Sequence, residues 1–229
     1  GMADVAHASR GTGPGRLTVR PLASGEGWRL RDVHCTLGPR DRVEDEQHQQ
    51  YSISIVLTGL FSHESGCGRV LLTPGSLLLG NAGAGFRCHH DHGVGDRCLS
   101  FQFDDELLET LVEGRATAPR ALFRHSRVPP IAATLPLWSP LQQLARSSGR
   151  SPWRTLAVEA LALELAATAL SVDPGIEPRR IPARDEARVA RVVRELETEP
   201  AAAHSLATLA QRAAMSRYHF LRCFRRVTG

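Results

Sequence analysis

The sequence predicts an α+β chain: a small antiparallel β-barrel or jelly roll, then helices, then a terminal helix-turn-helix. Three observations carry this. Residues 16–103 hold short runs of alternating polarity broken by Gly and Pro turns. After Phe103 the apolar period changes from strand-like to helix-like. Residues 205–229 read as two short helices around a tight turn.

Residues 1–15 are rich in Gly, Ala and Ser and are expected to be unstructured. Tyr51, Ile53, Ile55 and Leu57 alternate with Ser52, Ser54 and Val56, which predicts a half-buried strand ended by Thr58-Gly59. Arg69 to Thr73 is the next strand, closed by the Pro74-Gly75 turn, and Ser76 to Gly80 another, closed by Asn81-Ala82-Gly83. Gly85 to His90 and Arg97 to Phe103 flank a polar, Gly-rich loop and are expected to pair as a hairpin. Asp104-Asp105 caps a helix through Leu107, Leu108, Leu111 and Val112, which Gly114 stops. A second helical region spans Ile131 to Arg146, and Ser151-Pro152 opens a third. There Leu156, Leu163 and Leu170 recur every seven residues. Such a stripe fits an intramolecular core or a partner helix in a dimer. Asp173-Pro174-Gly175, Pro178 and Pro182 disfavour regular structure. The expected organisation is a sensing unit with dimerisation helices at 16–172, a linker at 173–183 and a terminal unit at 184–229. That unit starts with an amphipathic helix, Asp185 to Glu199, showing Val189, Val192, Val193 and Leu196 on one face.

With 229 residues and 42% hydrophobic content the chain can bury a sizeable core. No run approaches the roughly 20 apolar residues of a membrane span, and the first residues lack a signal-peptide core, so the expected compartment is the cytoplasm. The five cysteines, an odd count, argue against a disulfide framework. Net charge is +4 and every basic residue is Arg. That mild excess decides little, but Arg217, Arg222, Arg225 and Arg226 crowd the C-terminal end.

In that segment Ser205 caps a helix whose Leu206, Leu209, Ala210 and Ala213 are expected on one buried face. Ala214-Met215 turns the chain and Ser216 caps the second helix. Phe220, Cys223, Phe224 and Val227 form its apolar stripe; Tyr218, Leu221, Arg222 and Arg225 lie opposite. Arg on an exposed helix face suits bidentate contact with guanine in the major groove, and Leu221 can meet a thymine methyl. Arg217, Arg226 and the helix start suit phosphate contacts.

Ser205-Leu206, Leu209-Ala210, Met215-Ser216, Phe220-x-Arg222-x-Phe224-Arg225 and Gly229 closely resemble the first helix-turn-helix of the AraC family of transcription regulators. The resemblance spans about 45 residues counting the preceding helix. It implies a DNA-binding set of Ser216, Arg217, Tyr218, His219, Leu221, Arg222, Arg225 and Arg226, with Tyr218, Leu221 and Arg222 reading bases. Leu221 departs from the polar residue of some relatives, so base preference there does not carry over. The implied partners are promoter DNA, RNA polymerase, a small-molecule effector and a second copy of the chain, with no membrane. The family unit has two such motifs, so the chain is expected to be an incomplete version ending at Gly229.

The β region resembles the cupin-like sensing domain of such regulators, on its strand pattern and the Pro74-Gly75 turn. Glu46-x-His48, Pro74-Gly75-Ser76, Asn81-Ala82-Gly83 and the string from Phe86-x-Cys88-x-His90-x-His92 to Gly95-Asp96-Arg97-Cys98-Leu99-Ser100-Phe101 are similar to one subgroup. His48, Cys88, His90, His92 and Cys98 are metal-ligand types, so a metal in the barrel is a possible but unrequired cofactor. Cys88-x-His90-x-His92 is no zinc-finger spacing. If Leu99 and Phe101 face inward beside Phe86, Cys98 falls on the face opposite Cys88. Buried thiols acting as small hydrophobes, or as redox sensors, are the competing readings.

The primary expectation is an effector-responsive transcription regulator and not an enzyme. The alternatives are a cupin-type metalloenzyme with structural terminal helices, and a regulator acting only through dimerisation. Extending the chain by a second helix-turn-helix is expected to tighten operator binding and steepen its salt dependence, because phosphate contacts are added. Titrating both forms against operator DNA at several salt concentrations checks this; equal affinities would contradict it.

Overall fold

A computed structural model describes residues 15–112, 122–147, 152–172, 181–202 and 204–228. The expected unstructured lead, the Gly114 stop, the Ser151 cap and most of the 173–183 linker lie outside them.

Ten strands and six helices are described, in the order β1 (Leu17–Gly25), β2 (Trp28–Cys35), β3 (Glu46–Gln47), β4 (Tyr51–Gly59), β5 (Phe61–Ser65), β6 (Gly68–Leu72), β7 (Leu77–Gly80), β8 (Gly85–His89), β9 (Asp96–Phe103), α1 (Asp105–Val112), β10 (Arg127–Val128), α2 (Leu135–Arg146), α3 (Pro152–Ser171), α4 (Ala183–Thr198), α5 (Leu206–Arg212) and α6 (Arg217–Thr228). They make an α+β fold. Six strands form one antiparallel sheet in the order β1-β2-β9-β4-β7-β10, and four form a second in the order β3-β8-β5-β6. All pairings are antiparallel, so the expected barrel-like β unit followed by helices is what the chain adopts.

The central strands of the larger sheet, β4, β7 and β9, are covered on both faces, while the edge strand β1 is mostly exposed. Trp28, Leu30, Ile53, Ile55, Leu99, Phe101 and Phe103 pack with Leu137, Leu141, Val158, Ala162 and Leu165 of α2 and α3. The alternate positions Val56, Leu78 and Cys98 pack with Phe61 and Leu72 across from the smaller sheet. This corrects the expectation of a half-buried β4, whose Ser52, Ser54 and Val56 are as buried as its isoleucines. Period-two alternation here separates two buried environments, not core from solvent.

The expected hairpin of β8 and β9 is also corrected. β8 pairs with β3 and β5, whereas β9 pairs with β2 and β4. The segment between them carries the chain from one sheet to the other. A Gly-rich loop between two strand patterns fits both arrangements equally well.

Asp104 caps α1 as expected: its Oδ1 accepts from the Leu107 N–H at 2.9 Å. The core face of α3 is Val158, Ala162, Leu165, Ala166 and Ala169. The seven-residue stripe is split: Leu156 is 58% exposed and Leu163 half-buried, whereas half-buried Leu170 packs against the core. Small residues on the buried side let α3 approach the sheet closely, with Leu156 and Leu163 on the flank.

Arg97 ties sheet to helix. Its guanidinium donates twice to Asp32 (both 2.9 Å) and once to the Ala145 carbonyl of α2 (2.9 Å). Those bonds, chiefly from Arg97, hold the Asp32 carboxyl below its ordinary range.

Phe101→Ala removes a ring with no exposure from the centre of this core. It is expected to lower unfolding free energy by about 3–5 kcal/mol. Leu156→Ala is expected to change it by less than about 0.5 kcal/mol in a monomer. Urea unfolding of both variants checks the contrast.

Candidate functional site

Two regions gather the chemistry: the terminal helix pair, and the space between the sheets with its α4-facing end.

In the helix pair, Ser205 caps α5 by accepting from the Thr208 N–H at 3.1 Å. Ala214 takes a left-handed backbone with φ 52°, and the Met215 N–H returns to the Ala210 carbonyl at 3.0 Å, reversing the chain. Ser216 caps α6 through the His219 N–H at 3.2 Å. Phe220, Cys223 and Val227 are buried against Val189, Ala190, Val192 and Val193 of α4 and Ala210 and Ala213 of α5. Leu206 is 42% exposed, so the expected apolar face of α5 reduces to Leu209, Ala210 and Ala213.

Arg217, Leu221, Arg222 and Arg225 are exposed, Arg226 is half-buried, and the Tyr218 side chain lies outside the described ones. His219 turns the other way. Its Nε2 lies 2.9 Å from Asp185 Oδ2 of α4 and 3.8 Å from Cys223 Sγ, and its Nδ1 lies 2.9 Å from the Arg222 guanidinium. The chain Asp185–His219–Arg222 therefore braces one exposed Arg from beneath. Arg188 and Arg191 of α4 donate to the Ala214 and Arg212 carbonyls, and Arg212 pairs with Glu195 at 3.0 Å.

The terminal unit rests on the barrel. Leu60 and Leu71 join the α4–α6 core. The Gly59 N–H donates to Glu197 Oε1 at 3.0 Å, and Thr73 Oγ1 to the Val227 carbonyl at 3.3 Å. The Arg127 guanidinium also donates to the Val227 carbonyl, and Arg194 to the His92 carbonyl. Burial raises the Glu197 carboxyl above its usual range against the pull of the Gly59 N–H. A Cβ at Gly93 would displace the Arg194 guanidinium, the flexible end of its side chain, so glycine leaves room for that contact.

Between the sheets, Phe86 stacks on His48 (centroids 4.2 Å apart) and on His63 (5.2 Å). His48 Nδ1 lies 3.2 Å from Ser52 Oγ, and Ser54 Oγ donates to Ser100 Oγ at 2.9 Å. His48 Nε2 and both nitrogens of His63 are buried without a hydrogen-bond partner. Burial pulls His48 down to about 4. Burial, then the neighbouring His48, does the same to His63. Both are neutral at pH 7. The cupin resemblance implies a metal held by inward His and Glu. Among the described residues no group of three such donors within 4.8 Å includes His48 or His63, so this pair does not fit such a centre.

The five metal-ligand candidates separate. His48 stays with Phe86 and Ser52. His92 lies at the α4 surface, 4.0 Å from Glu186. Cys88 and Cys98 both turn into the space between the sheets, contrary to the expected opposite faces, because Leu99 and Phe101 face the helices instead. Burial pushes both thiols well above the ordinary range, which makes them poor nucleophiles. His90 is brought instead to Cys35 Sγ (3.4 Å) and Asp96 Oδ2 (2.8 Å). Burial lowers its pKa, but these two bonds carry it up to about 9. Cys35, Asp96 and His63 escaped the sequence analysis. Only register reveals the first two, since Cys35 and Asp96 are cross-strand partners. All five cysteines are free thiols.

Residues 16–183 match the family of the regulatory protein PchR N-terminal domain. The chain belongs to that family. It is a regulatory-protein family, in line with the AraC-type resemblance. No curated protein matches the chain. Among solved structures it is similar to the AraC-like transcriptional activator CuxR (13% identity, 92% of this chain and 74% of that one, TM-score 0.46). It is also similar to a cupin superfamily protein from Desulfitobacterium hafniense (13% identity, 44% of this chain and 84% of that one, TM-score 0.34). A third is the EutQ protein of Clostridium difficile (11% identity, 38% of this chain and 68% of that one, TM-score 0.34). No helix of the described residues is long and apolar enough to cross a membrane.

The His63 shift has a definite sign. A histidine depressed in the folded state binds fewer protons than in the unfolded chain between about 4 and 6.5. Stability is therefore full above about pH 6.5 and falls as pH drops toward 4. His63→Leu is expected to remove on the order of 2 kcal/mol of the loss between pH 7 and pH 5. Urea midpoints of both proteins at the two pH values check it.

Proposed function

We propose that the chain is a transcription regulator that binds promoter DNA through α6 and responds to a small effector taken between its two sheets. The observation that carries the DNA reading is the exposure of Arg217, Leu221, Arg222 and Arg225 on one side of α6 while Phe220, Cys223 and Val227 fill its core side. This polarity frees the face that a recognition helix needs in the major groove. Arg222 and Leu221 are assigned to base edges, with Tyr218 beside them; Ser216, Arg217, Arg225 and Arg226 are assigned to the backbone and groove edge. His219 becomes a positioning residue, since it holds Arg222 while anchored to Asp185.

The sensing unit is residues 16–172 and the DNA-binding unit begins at 184, with 173–183 between them. The effector site is assigned to the inter-sheet region at His48, Phe86 and His63, where His48 Nε2 and both His63 nitrogens offer polar contacts beside an aromatic face. The Gly59–Glu197, Thr73–Val227 and His92–Arg194 contacts are the route by which an effector that favours one arrangement of the barrel alters α4 and α6. Leu156 and Leu163 of α3 are the proposed homodimer seam, and RNA polymerase is the proposed further partner. No catalytic role is assigned, in keeping with a regulatory family.

Arg222→Ala is expected to weaken operator binding about 10- to 100-fold and relax preference at one base position. Arg217→Ala is expected to weaken all sequences alike and to reduce the salt slope by about one. Binding titrations against operator and scrambled duplex check both. Undiminished operator binding by Arg222→Ala would end the assignment of α6 to DNA.

A further inference from the structure

We infer that Cys35, His90 and Asp96 form a binding site for a thiophilic divalent cation, zinc foremost, at the α4-facing end of the barrel. The three come from separate segments: the last residue of β2, the residue after β8 and the first residue of β9. Their ligand atoms all lie within 4.8 Å of one another. The side chains are nearly fully enclosed, with residue exposures of 3%, 5% and 8%.

Thiolate, imidazole and carboxylate together are a zinc donor set. Tetrahedral zinc, with bonds of about 2.0–2.3 Å, sets its sulfur and nitrogen donors about 3.5 Å apart. Cys35 Sγ and His90 Nε2 stand 3.4 Å apart. His90 Nε2 and Asp96 Oδ2, at 2.8 Å, need to open by roughly 0.5 Å, a small side-chain rotation. Outer contacts already orient the donors. The Leu37 N–H donates to Cys35 Sγ at 3.4 Å, and the Cys98 thiol donates to the other Asp96 oxygen at 3.6 Å. The Cys35–Asp96 register holds two of the ligands on rigid strands. Binding releases the Cys35 thiol proton, and any proton on His90 Nε2, to solvent; no electrons move.

The site closes a loop with a second purpose. Residues 91–95 join His90 to Asp96 and include His92, whose carbonyl takes the Arg194 guanidinium. On its other side Asp96 pairs with Gly59, whose N–H holds Glu197. A cation that fixes His90 to Asp96 therefore fixes the surface on which α4 rests. The inference stands independently of any DNA contact.

The test uses the full chain, stripped with a chelator and titrated with Zn(II) or Co(II) alone. One equivalent is expected to bind, with near-ultraviolet thiolate-to-cobalt charge transfer. Cys35→Ser and His90→Ala are expected to weaken zinc binding by at least about 100-fold, consistent with loss of a ligand. Cys67→Ser, at an exposed position, is expected to bind as the parent does. Should the ligand variants fail to fold, thiol labelling of the parent protein in sub-denaturing urea, where the enclosed Cys35 is reached through local opening, decides: zinc is expected to slow labelling of Cys35 and leave that of exposed Cys67 unchanged. Absence of charge transfer in the parent protein, its survival in a folded Cys35→Ser variant, or labelling of Cys35 unaffected by zinc would each overturn the inference.

Discussion

The central strands of the six-stranded sheet, β4, β7 and β9, are covered on both faces, and the rest of the molecule follows from that. Helices α2 and α3 take one face, so Leu99 and Phe101 of β9 point to them. The alternate residues Asp96, Cys98 and Ser100 must then point toward the smaller sheet. Strand geometry permits no other choice once one face is assigned. The polar and sulfur-bearing side chains are thereby enclosed, where each unpaired group is costly. Most of them find partners there: Ser54 with Ser100, His90 with Cys35 and Asp96. Those left over, His48 Nε2 and the ring of His63, mark where polar binding capacity remains.

The second constraint is that the terminal helix unit is not separate from the barrel. Leu60 and Leu71, both from the β region, complete the core made by α4, α5 and α6. Around this apolar contact runs a polar margin from Gly59, Thr73, His92 and Arg127. These contacts tie residues of the barrel to α4 and to the end of α6. A mobile linker alone would not achieve this, because coupling needs two arrangements with different contacts.

The two halves of the candidate site were unequally legible in the sequence. On α6 the spacing of Phe220, Cys223 and Val227 against Arg222 and Arg225 displayed the buried and open sides, because helix periodicity is local. The contact of His219 with Asp185 was not legible, since Asp185 lies on another helix. In the barrel the residue types were visible but their grouping was not. Cys88, His90 and His92 are close in sequence, yet the strand end and the change of sheet send them to three surroundings. Cys35 and Asp96, far apart in sequence, meet through strand pairing.

By itself the sequence determined what local physics controls: the succession of strands and helices, the capping of α1 and α6, the amphipathic halves of the terminal helices and the family resemblance they carry. Tertiary structure decided whatever depends on which surfaces meet. It placed β8 and β9 in different sheets, left Leu156 of α3 exposed, turned Cys98 toward Cys88 and set the terminal helices on the barrel. A side chain's periodicity names its face, but only the element packed against that face determines its environment.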